Sequence, residues 1–120
     1  MPAEPVAQEL TDPDDRKLVT LARSTRARTR AAEGACVRDL DGRIYAAATV
    51  DLPSLRLSAV QVAVAMAVTS GAHGLEAVLV LGDGGDPAEE DLSAVRDLAG
   101  ADVPVHLAGP DGSLVRTART

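Results

Sequence analysis

Gly34-Ala35-Cys36-Val37-Arg38-Asp39-Leu40-Asp41-Gly42-Arg43-Ile44-Tyr45-Ala46-Ala47-Ala48-Thr49-Val50 is the stretch that sets the fold class. Two short apolar runs flank Asp41-Gly42, and Asp-Gly supplies the residues that a tight hairpin turn demands. The pattern predicts a strand over 34–38, a turn, and an antiparallel strand over 43–50. Upstream, Thr11-Asp12-Pro13-Asp14-Asp15 is a helix start, with Thr11 or Asp12 as cap, Pro13 at the first helical position and carboxylates facing the positive dipole end. The helix is predicted from about Pro13 to about Arg28, with Leu18, Val19, Leu21 and Ala22 as its buried stripe. Residues 1–10 are expected to form a flexible N-terminal tail and residues 11–120 a single domain.

Downstream, Pro53 interrupts the chain. From about Ser58 a run through Ala59, Val62, Ala63, Met66 and Ala67 repeats at helical spacing until Gly71. Being apolar almost all round, that helix is expected to be buried. Leu75 to Leu81 is a run, apolar but for Glu76, of the kind found in a central strand with both faces covered. Asp86-Pro87-Ala88-Glu89-Glu90 opens another helix to about Leu98, Val103 to Leu107 is a further strand, and Ser113 to Thr117 has the pattern of a last one. This order of elements calls for a mixed sheet with helices on its faces.

Composition narrows the function. The chain has 120 residues and 46% of them are hydrophobic, yet Tyr45 is the sole aromatic. Any core is therefore aliphatic, and base-stacking platforms are nearly absent. A net charge of −6 argues against nucleic acid as a partner. Cys36 is the single cysteine, which excludes a disulfide framework and every two-cysteine zinc signature and points to a reducing, cytoplasmic location. The N-terminus lacks the pattern of a signal peptide, and the longest apolar run, Val62 to Val68, is too short for a bilayer, so no membrane partner is expected.

Taken together, Gly34-Ala35-Cys36-Val37, the Asp41 to Tyr45 hairpin segment, the Ser58 to Gly71 helix and Pro87 resemble the cytidine deaminase family over roughly Leu18 to Leu107. The resemblance implies an α/β fold, a three-layer α/β/α sandwich with a mixed sheet of four to five strands. In texture the chain is similar to short actinobacterial members that lack the zinc-ligand motifs. In the family's first metal helix a Cys or His is followed by Ala and Glu; here Ser58 stands at the ligand position and Val60 at the glutamate position. The Pro-Cys-x-x-Cys signature corresponds to Pro87-Ala88-Glu89-Glu90-Asp91, so Ala88 and Asp91 replace the two cysteines. Thr49 and Asp51 stand as partial substitutes for the groups that hold the nucleoside sugar.

Zinc deaminases activate water on a metal held by one His or Cys and two Cys, with a Glu moving the proton. A serine, an alanine and one aspartate do not make that ligand set. We therefore expect no metal, no cofactor and no catalytic residues, and a vestigial substrate pocket at Thr49, Asp51, Ser58, Val60, Pro87, Ala88 and Asp91. The leading expectation is a catalytically degenerate binding or interaction module, with a homo-oligomer, a nucleoside or other small molecule and a protein as its partners. Two alternatives stay open: an active cytidine or nucleoside deaminase with an atypical site, and a nucleoside sensor. Other features have plainer readings. Arg23, Arg26, Arg28 and Arg30 complement a helix end, and Asp83, Asp86, Glu89, Glu90 and Asp91 provide capping and solubility. Cys36 reads as a buried thiol, His73 as a dipole partner after a helix end, and His106 as a half-exposed strand residue.

Overall fold

The computed structural model describes residues 10–120. The tail expected over 1–10 lies outside the described residues except for Leu10, which is partly buried against the smaller apolar cluster.

Helix α1 spans Pro13–Thr29. Asp12 rather than Thr11 caps it: the Asp12 carboxylate accepts the Asp14 N–H at 2.8 Å, and Arg30, at φ 55°, turns the chain out of the helix. Its buried residues are Leu18, Ala22 and Thr25, spaced i, i+4, i+7 as one helical face requires. Leu21, expected in that stripe, is 39% exposed, because one step along a helix turns a side chain by about 100°.

Strands β1 (Gly34–Asp39) and β2 (Ile44–Ala48) form the expected hairpin. Gly34 is required where the chain leaves α1, since a Cβ there would lie 2.2 Å from the Ala22 carbonyl oxygen. Strand β2 ends earlier than expected. Thr49 exchanges hydrogen bonds with the Glu33 backbone instead, and the chain leaves the sheet. It forms a separate ribbon of β3 (Val50–Leu52) and β4 (Leu55–Leu57), joined at Pro53-Ser54. Pro53 thus marks a turn, where its missing N–H costs nothing.

Helix α2 (Ala59–Thr69) begins with a capping box: Ser58 Oγ accepts the Gln61 N–H and the Gln61 side chain accepts the Ser58 N–H. Ala59, Val60, Ala63, Val64 and Ala67 face the core. The expectation of burial all round is corrected by Met66 and Val68, 38% and 52% exposed; the sheet and one neighbouring helix cover only one side. Strand β5 (Leu75–Leu81) is central and buried except at Glu76. Helix α3 (Glu89–Ala99) starts later than expected, with Ala88 as its cap residue and no side-chain capping bond. The carboxylates of Glu89, Glu90 and Asp91 occupy its first turn, where they face the positive end of the dipole. Strands β6 (Pro104–Ala108) and β7 (Leu114–Arg119) complete the chain.

The five-stranded sheet has the order β2-β1-β5-β6-β7. Only β5 and β6 pair in parallel; the other neighbours are antiparallel. Alternation then sorts the side chains. Cys36, Ala77, Leu79 and Leu81 face α1 through Leu18 and Ala22, whereas Val37, Val78, Val80, Val105 and Leu107 face α2 and α3. The result is the three-layer sandwich with a mixed sheet. Each fully buried Leu or Val, such as Leu79 or Val78, contributes roughly 1.5–3 kcal/mol. No helix among the described residues is long and apolar enough to cross a membrane.

Candidate functional site

Two local rules bring the site together. Ser58 sits before α2 because a short hydroxyl satisfies the free N–H groups of a first turn, and Asp91 sits in the first turn of α3 because a carboxylate complements the dipole there. The topology places these two helix starts side by side. Ser58 Oγ donates to Asp91 Oδ1 at 2.5 Å, across 33 positions of sequence. Asp91 is 6% exposed. Burial pushes its carboxyl above the ordinary range, the Ser58 hydroxyl opposes this, and the Glu90 charge adds to it.

Beside this pair lies a cavity of about 130 Å³, lined by Ser58, Pro87, Ala88 and Asp91 together with Glu33, Glu90, Asp86 and an apolar wall that includes Val80, Val105 and Leu107. An adjoining, more open depression of about 480 Å³ is lined by Thr49, Asp51 and Ser58, with Arg56, Gln61, Glu33 and Glu90. The two share Glu33, Ser58 and Glu90. Six of the seven residues proposed for the pocket thus lie along one continuous recess. Val60 does not: it is 0% exposed, packs in the larger apolar cluster and lines neither cavity. Asp51 is on the ribbon, paired with Arg56 at 3.4 Å where both are largely exposed.

Glu33 escaped the sequence reading. It precedes Gly34 at the start of β1, half-buried, and its carboxyl is raised by burial and by the charge of Asp91. No periodicity marks it; the one available cue is a carboxylate immediately before a Gly-Ala strand start. The remaining candidates lie elsewhere. Cys36 is buried and its thiol is pushed up to about 12 by burial, which makes it a poor nucleophile. His73 is exposed. His106 is 8% exposed rather than half-exposed, because α1 and β7 cover it: Nδ1 lies 2.9 Å from Thr117 Oγ1 and Nε2 lies 3.5 Å from Asp15 Oδ2. Arg26 binds the Ala32 carbonyl oxygen beyond the end of α1, and Asp86 pairs with Arg116 at 2.8 Å.

The donor set does not fit zinc. Ala88 offers no ligand atom, the Ser58 hydroxyl is engaged with Asp91, and one carboxylate is far short of the three protein ligands a catalytic zinc requires. Among the described residues no three His, Cys, Asp or Glu side chains group closely enough to hold a metal ion. What the arrangement can do is bind: it offers hydrogen-bond acceptors at one end of a small cavity and hydrocarbon along its wall.

Solved structures share this architecture. The cytidine deaminase of Burkholderia pseudomallei superposes with a TM-score of 0.75 at 20% identity, covering 85% of this chain and 89% of that one. The cytidine deaminase of Mycobacterium leprae does so with a TM-score of 0.69 at 21% identity, covering 88% and 94%. That of Mycobacterium tuberculosis gives 0.67 at 22% identity, covering 78% and 85%. No curated protein matches the sequence significantly. At these identities the structures speak for the fold, while the cytidine deaminase-like family model matches residues 11–112 directly. On that match, and with the sandwich that carries it, the chain belongs to the cytidine deaminase-like family.

Proposed function

We propose that the chain is a catalytically degenerate member of its family that keeps the fold as a binding or interaction module. One observation carries the reading: the two positions that correspond to metal ligands and still bear polar side chains, Ser58 and Asp91, are hydrogen-bonded to each other at 2.5 Å. A hydroxyl that donates to a carboxylate is a structural contact, not a thiolate cage. The burial of Val60 in the core supports the same reading, since the position of the proton-carrying glutamate holds hydrocarbon facing away from the recess. Without a metal-bound water there is no nucleophile of sufficient strength for the pyrimidine ring.

The measurement is direct. The purified chain is analysed for metal content and mixed with cytidine while the absorbance change of conversion to uridine is followed. The expected result is substoichiometric zinc and no turnover; stoichiometric zinc with turnover overturns the proposal in favour of an active deaminase with an atypical site. A nucleoside sensor is the second reading, favoured by the open depression at Thr49, Asp51 and Ser58. Thermal-shift titration with nucleosides tests it, and no shift at millimolar concentration removes it. A cytoplasmic location, a homo-oligomer and a protein partner belong to the same proposal. The apolar outer face of α2, with Met66 and Val68 exposed, supports the oligomer, which sedimentation checks.

A further inference from the structure

The cavity beside the paired helix starts has an uncompensated charge. Glu33, Asp86, Glu90 and Asp91 line it, and no lysine, arginine or histidine does. Asp86 is answered from outside by Arg116. Asp91 is not. It is more than nine-tenths buried, and the one hydrogen bond that its carboxylate receives among the described residues comes from Ser58 to Oδ1. Oδ2 receives no donor among the described residues and, with Asp91 lining the cavity, is left for a ligand.

The opposite wall decides what kind of ligand. Val80, Val105, Leu107 and Ala108 make it apolar, so the cavity suits a molecule with a hydrocarbon or ring body as well as a charge. A bare metal ion suits it poorly: calcium and magnesium take about six or more oxygens, and no three acidic or imidazole side chains among the described residues are placed to hold one ion. The volume of about 130 Å³ is that of roughly four waters, enough for a small organic head group. A planar fork of N–H donors matches carboxylates better than a point charge does.

We propose that this cavity binds a small organic cation with a planar amidinium or guanidinium head, held by Asp91 and Glu33 against the apolar wall. The assignment rests on the non-hydrolytic reading, because a zinc ion at Ser58 and Asp91 would compete for the same carboxylate. Burial raises both carboxyls, and the Asp91 charge raises Glu33 further, a strain that a bound cation relieves.

Methylguanidine and its neutral isostere N-methylurea, titrated against the whole chain by protein-observed NMR at neutral pH, test the assignment. Methylguanidine is expected to bind about tenfold or more tightly than N-methylurea, with amide shifts at Glu33, Gly84 and Asp91. Asp91→Asn and Glu33→Gln are each expected to weaken it by about tenfold. Because Glu33 is half-buried and outside both apolar clusters, Glu33→Gln keeps the test valid if Asp91→Asn folds poorly. Equal affinity for the two probes, no saturation with methylguanidine at roughly 10 mM, or unchanged binding in Glu33→Gln overturns the assignment. A zinc-free, inactive protein that ignores methylguanidine removes the ligand class and leaves the non-hydrolytic reading intact; zinc with cytidine turnover removes both.

Discussion

Asp39 and Asp91 are both buried aspartates, 2% and 6% exposed, and their surroundings treat them in opposite ways. Asp39 ends β1 inside the hairpin turn, where Oδ1 accepts the N–H groups of Asp41 and Arg43 and Oδ2 accepts the Tyr45 hydroxyl. Burial pushes its carboxyl up, but these donors outweigh burial and hold it below the ordinary range. Asp91 has one donor among the described residues, Ser58, and its carboxyl is raised. A buried charge with a full set of donors holds a turn together; one with a single donor beside a cavity keeps a raised carboxyl.

The comparison breaks most sharply at Asp39. Asp39→Ala is expected to lower the thermal midpoint more than any other substitution considered, because it removes the acceptor of the Asp41 and Arg43 N–H groups and of the Tyr45 hydroxyl together. A midpoint within a degree or so of wild type would mean that the turn does not depend on the carboxylate. Next is Ser58→Ala, which removes the α2 cap and leaves Asp91 without a donor, an expected loss of about 1–3 kcal/mol in urea unfolding at neutral pH. Adding Asp91→Asn to that variant is expected to recover part of the loss; if it deepens the loss, the buried charge is not the cause.

The two regions also titrate in opposite senses. The lowered Asp39 carboxyl contributes stability that is present above the unfolded value of roughly 4 and is lost as pH falls through its folded value. Asp91 and Glu33, both raised, contribute stability that is complete below their unfolded values of roughly 4 and is lost as pH rises through their folded values. Asp91→Asn or Glu33→Gln is therefore expected to flatten the decline from pH 4 toward 7, an effect smaller than that of Ser58→Ala. Denaturation midpoints across that range read it directly.

The smallest effect is expected at His106, a third kind of buried group. Its Nε2 has no hydrogen-bond partner among the described residues, and burial, against the pull of Asp15 and with the push of Arg38, holds the imidazole below its ordinary value. The neutral ring contributes stability that is full above the unfolded value of roughly 6.5 and is lost as pH falls through the folded value. His106→Gln is expected to remove that part of the acid sensitivity, so unfolding curves at pH 7 and pH 5 should lie closer together than in wild type.

Much of this was legible in the residues. Asp41-Gly42 marks the hairpin, Pro13 and the carboxylates behind it mark α1, and the Leu75 to Leu81 run, apolar but for Glu76, marks the central strand. The β3–β4 ribbon was not legible, because three-residue strands with exposed side chains leave no periodic trace. Asp86-Pro87 has the composition of a helix start, yet 86–88 lie outside the helix and line the cavity, and α3 begins at Glu89. At the site, the absence of thiolates follows from composition alone, whereas Glu33 and the orientation of Val60 needed coordinates.

By itself the sequence determined what is local and what is counted: helix caps, strand alternation, an aliphatic core and the loss of a zinc ligand set. These depend on residue types within a few positions of one another. The tertiary structure alone decided that Ser58 and Asp91 share a proton donor and acceptor, that Glu33 joins them, and that Met66 and Val68 face outward. Burial, desolvation and cavities are properties of neighbours brought together from distant parts of the chain, and no local pattern encodes them.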